Sequence, residues 1–95
     1  MELSVSDLVE SIAGRDRGKL FYVIGTEGVY ALLADGKERP IERPKRKKLK
    51  HIRRVTHGES TVAQMIKSGD KVLNAQLRRD LAVIRQTLRS QNQGG

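Results

Sequence analysis

Positively charged side chains are concentrated in one short stretch of this sequence. Between Lys37 and Arg54, ten Lys or Arg residues stand against two acidic ones, so this stretch holds more than half of the 19 Lys and Arg residues in the chain. Each cation that neutralises a phosphate releases a counterion, so a run this dense is typical of a polyanion-binding surface. The residues of the run that we expect to contact phosphate are Arg43, Lys45, Arg46, Lys47, Lys48, Lys50, His51, Arg53 and Arg54.

The same run has simpler interpretations. It could be a targeting signal, a segment that only raises solubility, or a disordered arm. Leu49 and Ile52 argue against the arm, because apolar residues at these positions are typical of anchors that hold a strand to a core. Replacing Lys45 to Lys48 with alanine is therefore expected to remove four charges but no core side chain.

A second cluster of chemistry-bearing residues lies upstream, in a loop bounded by two glycines. The glycines permit a tight turn that brings backbone N–H groups close to a ligand, and three cations add positive charge. These residues are Gly14, Arg15, Arg17, Gly18 and Lys19. Together they predict a phosphate-binding loop, and the alternative is an ordinary solvated hairpin turn. The loop is not a nucleotide P-loop, because no Gly-Lys-Ser/Thr is present and no helix is predicted to follow it.

The sequence holds little material for catalysis or metal binding. It has no cysteine, and its two histidines, His51 and His57, are six residues apart with no obvious carboxylate partner. Serines and threonines have no adjacent base, so a nucleophilic site is not indicated. We therefore predict a protein that is not an enzyme and takes no cofactor, metal or small-molecule substrate.

The scarcity of aromatic residues indicates which nucleic acid fits the basic run. Phe21, Tyr22 and Tyr30 are the three aromatic residues, and all lie in predicted strands where core packing is expected. Proteins that read single strands stack bases on exposed aromatic rings. The sequence therefore favours folded RNA, bound through its phosphates and its shape.

Hydrophobic periodicity and turn signals predict the elements that must position these residues. Five strands are expected, at residues 8–13, 20–24, 29–34, 39–42 and 49–55. Asp35-Gly36 indicates a two-residue hairpin turn, and Pro40 suits a strand at a sheet edge. The second and third strands are continuously apolar, which indicates burial on both faces. Residues 8–55 are therefore predicted to form a small barrel that needs an outer cover.

The cover is expected from a helical segment, residues 61–90, which is followed by a predicted disordered tail at residues 91–95. Thr61-Val62-Ala63-Gln64 fits a capping box at the start of a first helix, which Gly69 would end. Asn74 would cap a second helix that reaches the end of the segment. The apolar residues of this second helix fall in one narrow stripe suited to packing on the barrel, namely Leu77, Leu81, Ile84 and Leu88.

The overall composition favours an intracellular location. The chain of 95 residues carries a net charge of +8, and its lack of cysteine fits a reducing compartment. The acidic segment at residues 1–7 does not resemble a secretory signal, and no apolar run approaches the length of a membrane span. We therefore expect a cytoplasmic monomer with a polyanion, and no membrane, as its partner.

Two segments carry a resemblance to known proteins. Residues 12–25, with Gly14 and Gly18 around the basic loop, resemble a KOW motif, the strand–glycine loop–strand unit of SH3-like barrels in ribosomal and transcription-elongation proteins. Residues 34–51 are similar to the ribosomal protein fourteen family of archaeal and eukaryotic large subunits. The pattern over residues 8–55 resembles more closely the short stand-alone bacterial KOW RNA-binding proteins related to that family.

This resemblance implies an SH3-like barrel, followed by the two helices, that binds structured RNA. It implies ribosomal RNA as the partner, ribosomal proteins as possible neighbours, and a role in translation near the ribosome. The family's glycine loop corresponds to Gly14–Gly18, and its Pro-Lys-rich basic segment corresponds to Pro44–His51.

The rival interpretation is a protein-interaction module. In it, the barrel edge or the exposed flank of the second helix docks a polymerase or a ribosomal protein. Phosphate binding should weaken steeply with ionic strength, whereas a mostly apolar protein contact should not. Separately, Arg78, Arg85 and Arg89 lie close together on the second helix and are candidates to extend the basic surface, the alternative being a solvated helix face.

Overall fold

The computed structural model of the chain describes residues 2–93. Within that range, five strands form one antiparallel sheet in the order β4-β3-β2-β1-β5. The strands are β1 (Leu8–Ser11), β2 (Leu20–Glu27), β3 (Tyr30–Ala34), β4 (Lys45–Lys48) and β5 (Ile52–Thr56). A 3-10 turn at Leu49–His51 joins β4 to β5, and the helices α1 (Thr61–Ser68) and α2 (Asn74–Gln93) follow. The predicted class, mainly β with two C-terminal helices, is confirmed.

Both faces of the central strand β2 are buried, as its continuous apolar sequence predicts. Side chains alternate between the two faces of a strand, so Phe21 and Val23 enter one apolar cluster while Leu20 and Tyr22 enter another. The first cluster, the inner core, consists of Val9, Phe21, Val23, Ala31, Leu33 and Ile52. The second, the outer core, joins the sheet residues Leu8, Leu20, Tyr22 and Ala34 to the helix residues Ala63, Leu77 and Leu81. The helices thus supply the cover that the two-sided pattern requires.

A polar contact links the sheet to both helices inside this apolar layer. The Tyr22 hydroxyl donates a hydrogen bond of 2.5 Å to Asp80 Oδ2 on α2, and the Ser60 hydroxyl donates one of 3.1 Å to the same oxygen. Burial and the Asp80 carboxylate raise the pKa of Tyr22 well above its usual range. The phenol therefore stays protonated and continues to donate.

The sheet is open rather than closed. β4 and β5 lie at opposite ends of the strand order, and within residues 2–93 no ladder of hydrogen bonds joins them. The space between these two ends of the sheet is therefore filled by the side chains of the inner core, and no continuous ladder of hydrogen bonds closes it. This open sheet is compatible with the SH3-like barrel, which stays a prediction.

The predicted strand at residues 39–42 is wrong, and Asp35-Gly36 is not a two-residue hairpin turn. Residues 35–44 instead form a loop around the buried side chain of Asp35, whose Oδ1 accepts hydrogen bonds of 2.9 Å from the backbone N–H groups of Lys37 and Arg39. These side-chain bonds replace the ladder bonds that a strand would need. The true fourth strand is the basic segment Lys45–Lys48.

The loop is also held by the second helix. The side chain of Asn74 accepts a hydrogen bond of 2.9 Å from the Ile41 N–H, so it braces the loop although it was predicted to cap its own helix. Gly36 has a φ of +78°, and a Cβ at this position would collide with the carbonyl oxygen of Asn74. Only glycine lets the start of α2 approach the sheet this closely.

The helix ends differ slightly from those predicted. Ser60, not Thr61, caps α1, because its hydroxyl accepts a hydrogen bond of 3.0 Å from the Ala63 N–H. Gly69 ends α1 with a φ of 78°, as predicted. α2 extends to Gln93, so the predicted tail is wrong for residues 91–93, and residues 94–95 lie outside the described range. Neither helix in residues 2–93 has the combination of length and apolar character needed to cross a membrane.

Candidate nucleic-acid interface

The basic strand β4 presents its cations on two different sides. Because side chains alternate along a strand, Lys45 and Lys47 lie on the side of the inner core, and Arg46 and Lys48 lie on the other. Lys47 is buried, whereas Arg46 and Lys48 are exposed. The four consecutive cations therefore have two different roles.

The glycine loop folds back onto this strand. Gly14 and Gly18 have φ values of +84° and +88°, the left-handed region that favours glycine. The Gly18 N–H donates to the Ser11 carbonyl at 2.8 Å, which closes the loop, and the Arg17 N–H donates to the Gly14 carbonyl. The turn carries the side chains of Arg15 and Arg17 outward, and both are exposed.

Asp16, inside this loop, binds the loop to β4. Its carboxylate accepts hydrogen bonds from Lys45 at 2.6 Å, from Lys47 at 2.7 Å and from the Ser11 hydroxyl at 2.7 Å. Burial alone would raise the pKa of Asp16, but these three donors outweigh it and hold the pKa well below its usual range. The glycine loop and β4, the two regions predicted to bind phosphate, are therefore joined into one surface by the ion pairs of Asp16.

Lys47 is part of this joint and is not a free cation. Its side chain is 8% exposed, and its ammonium donates both to Asp16 and to the Ala13 carbonyl at 2.7 Å. Alanine at Lys45 to Lys48 would therefore remove no apolar core side chain, as expected, but it would remove a buried cation that holds the loop to β4. The only signal for this in the sequence was a single aspartate in an otherwise basic loop.

Most other cations on this surface are exposed to solvent. Arg46 lies over the Tyr30 ring, 4.0 Å from its centre, and its Nε is 3.9 Å from a Glu27 carboxylate oxygen. Several other exposed cations of the loop, of β4 and of the segments on either side of β4 make no ion pair among residues 2–93. They are Arg15, Arg17, Lys37, Arg39, Arg43, Lys48 and Lys50. Their charge is therefore open to a ligand.

A cleft of about 240 Å³ lies where the loop meets β4. Four cations line it, Arg15, Lys19, Arg39 and Lys45. Lys19 binds the exposed Glu38 carboxylate at 2.9 Å, and this hydrogen bond lowers the pKa of Glu38. A phosphate entering the cleft would compete with Glu38 for Lys19. Sequence reasoning counted Arg39 in the basic run but did not include it in the site.

The last part of the predicted basic run lies elsewhere. Arg53 and Arg54 are in β5, at the opposite end of the strand order from β4. Arg53 forms an ion pair with Glu10, and Arg54 lies 3.7 Å from the buried Asp7 carboxylate and donates to the Glu2 carbonyl at 2.8 Å. His51 is half-buried in the 3-10 turn, where its carbonyl accepts from the Ile12 N–H at 3.0 Å. The run is thus divided between two edges.

The aromatic and histidine side chains have mostly structural contacts. Phe21 and Tyr22 are buried, as predicted, but Tyr30 is only half-buried. His57 Nδ1 lies 2.9 Å from Asp7 Oδ1. Within the part of the chain that the structure describes, no three His, Asp or Glu residues come together in a way that could hold a metal ion.

The three arginines of α2 differ in their contacts. Arg78 donates a hydrogen bond of 2.8 Å to the Gly36 carbonyl and so joins the helix to the loop after β3. Arg85 and Arg89 line a separate polar cleft on the helix.

Comparison with known proteins adds no family to this description. No protein-family model and no curated protein matches the sequence. The resemblance of the sequence to KOW proteins therefore supports only a proposal.

Proposed function

We propose that this protein binds structured RNA through its phosphates, using the glycine loop and the β4 edge as one surface. The observation that carries the proposal is the set of exposed cations on the joined loop and strand that make no ion pair among the described residues. Asp16 holds the loop and β4 together, and four cations line the cleft where they meet, Arg15, Lys19, Arg39 and Lys45. Such an arrangement suits a polyanion.

Because the loop is held against β4, the surface is rigid and favours a rigid ligand whose phosphates have a fixed spacing. The Asp16 ion pairs hold the loop against β4 before any ligand arrives, so little conformational freedom is lost on binding. Arg46 and Lys48, the two exposed cations of β4, are about 7 Å apart at about 3.3 Å per residue, so they can reach neighbouring phosphates of one strand. Phosphate contacts of this kind fix position on a folded RNA without reading its bases.

The identity of the RNA rests on the resemblance and not on the geometry. Similarity to KOW proteins makes ribosomal RNA the leading candidate and a ribonucleoprotein in the cytoplasm the expected setting. Crosslinking in cells followed by sequencing of the bound RNA tests this directly. Recovery of one ribosomal RNA helix supports the proposal, and recovery of no RNA contradicts it.

Salt-dependent binding tests the phosphate contacts. The variant R43A/K48A/K50A removes three exposed cations and no buried side chain. For each phosphate that the variant no longer neutralises, the slope of log affinity against log salt should become shallower by roughly 0.7–0.9. The matched control K67A/K71A/R79A also removes three exposed cations, but from the helical segment. Equal effects of the two variants would mean that only net charge matters.

A protein-interaction module is the second candidate, favoured by one observation. A mostly apolar groove of about 390 Å³ lies between β5 and the C-terminal half of α2, with Leu8, Val55, Ile84 and Leu88 among its lining residues. A partner bound there would make contacts that change little with salt. Binding of a ribosomal or transcription protein that survives high salt, and that Leu88→Asp abolishes, would favour this candidate.

A further inference from the structure

The tip of the β2–β3 hairpin carries an exposed apolar side chain where a polar one is expected. Gly28 and Val29 form the two-residue loop between the paired residues Glu27 and Tyr30, and Gly28 has a φ of 59°. After a glycine in such a loop, Asn, Asp or Ser is the usual residue. Val29 is 64% exposed, so most of its apolar surface stays in water in the isolated chain.

A second apolar residue is fixed beside it. The Leu49 N–H donates a hydrogen bond of 2.8 Å to the Val29 carbonyl, and the Leu49 side chain packs against the inner core. Val29 and Leu49 therefore form an apolar patch of fixed position, which we call the Val29–Leu49 pad. Lys48 and Lys50 line the same cleft of about 380 Å³, and both residues are exposed.

We propose that the Val29–Leu49 pad takes one unpaired base of a bound RNA while Lys48 and Lys50 bind its flanking phosphates. This inference rests on the proposed function and names a feature of the RNA that the protein prefers. A nucleotide has an apolar face on its base and a charged phosphate on either side of it. The pad reproduces this pattern in complementary form, with an apolar centre between two cations.

Continuity with the β4 edge favours a nucleotide over other occupants. Lys48 lines the same cleft as the pad and lies on the exposed side of β4, so an RNA strand that lies along β4 reaches the pad without a break. An apolar segment of another protein would cover Val29 but would leave two ammonium groups beside it without a counter-charge. Bases in bulges and loops are accessible because they are not held in a helical stack.

Binding to three RNA hairpins tests the inference. The hairpins share one stem and differ at one position, which is fully paired, carries one bulged adenosine, or carries an abasic bulge. The wild-type protein should bind the adenosine bulge more tightly than the other two. Val29→Ser should remove this preference, roughly four- to tenfold in affinity, because one or two buried methyl groups are removed. Serine suits the turn, so the hairpin should keep its fold.

Val83→Ser is the matched control. Val83 lies on α2 and has the same 64% exposure as Val29, so its replacement should leave the preference for the bulge intact. A wild-type protein that binds all three hairpins equally, or a Val29→Ser variant that keeps the preference, would overturn the inference but not the proposed function. Failure to bind any hairpin would overturn both. Self-association in sedimentation that Val29→Ser abolishes would assign the pad to a second copy instead.

Discussion

The two edge strands of the sheet both carry adjacent cations, but the residues around them differ. On β4, Asp16 takes up the two inward lysines, Arg46 lies 3.9 Å from a Glu27 carboxylate oxygen, and the outward Lys48 has no acidic partner among the described residues. On β5, the neighbouring strand and the N-terminal segment supply Glu10 for Arg53 and Asp7 for Arg54. The β4 edge therefore keeps free charge, and the charge of the β5 edge is mostly compensated.

This difference shows that a count of cations along a sequence overestimates a binding surface. Acidic residues distant in sequence decide which cations are free to bind, and they can use a cation in two ways. Asp16 makes Lys47 a structural residue, because the pair is buried. Glu10 only weakens the field of Arg53, because that arginine is 65% exposed.

The largest effect is expected on stability at the β4 edge. Asp16→Asn leaves the buried Lys47 ammonium without its counter-charge, so the free energy of unfolding should fall by about 3 kcal/mol. Chemical denaturation measures this change. Glu10→Gln, which breaks the exposed pair of the β5 edge, should cost less than about 1 kcal/mol. Equal losses would remove the distinction between the two edges. The double variant D16N/K47M should recover much of the loss, since no uncompensated charge remains at position 47.

The dependence of stability on pH should single out the same aspartate. The pKa of Asp16 is depressed in the folded protein, whereas an aspartate in an unfolded chain titrates near pH 4. The stabilisation is therefore fully present above about pH 5 and is lost as the pH falls below about 4 toward the folded pKa. The difference in unfolding free energy between wild type and Asp16→Asn should shrink over that window. A constant difference from neutral pH to about pH 2 would contradict the assignment.

The contrast between the edges should also be visible in RNA binding. R43A/K48A removes two exposed cations on or beside β4 that make no ion pair among the described residues, and affinity for a paired RNA hairpin should fall roughly tenfold near physiological salt, with a shallower salt slope. R53A/R54A removes the same number of charges from the β5 edge and should change affinity much less, because those cations already have acidic partners. A larger effect at β5 would move the proposed interface to the opposite edge.

The smallest effect is expected from freeing a compensated cation. Glu10→Gln releases Arg53, and if the β5 edge lies near bound RNA, affinity should rise by at most about twofold. Glu59→Gln adds the same net charge at another position and serves as the control. Equal affinities for the two variants would mean that the β5 edge does not meet the RNA, which would sharpen the contrast.

The sequence predicts the layering of this protein well, because burial on two faces leaves a local pattern. The uninterrupted apolar stretch from Leu20 to Ile24 signals an outer cover, and Leu77 and Leu81 appear at helical spacing to provide it. Gly69 ends α1 as expected, because a left-handed residue at a helix end is a local requirement. Features that depend on neighbours in sequence were therefore predictable.

The features that the sequence did not reveal depend on partners far along the chain. Asp35 folds residues 35–44 into a loop together with Asn74, whose side chain comes from 33 residues beyond Ile41. The burial of Lys47 depends on Asp16, which is 31 residues away. Four consecutive cations give no strand signal of their own, and Lys45–Lys48 becomes a strand because β3 offers it a ladder. No local pattern carries this information.

The hydrogen bond between Tyr22 and Asp80 has a consequence for the order in which the chain folds. It spans 58 residues, and the outer core needs Leu77 and Leu81, whereas the inner core is complete once Ile52 is in place. During synthesis from the N-terminus, the strands can therefore assemble around the inner core while Leu20 and Tyr22 still face water. The sheet would pass through a stage in which one apolar face is exposed to water until α2 packs on it. Pulsed hydrogen exchange during refolding should accordingly protect the amides of β1 and β2 before those of α2.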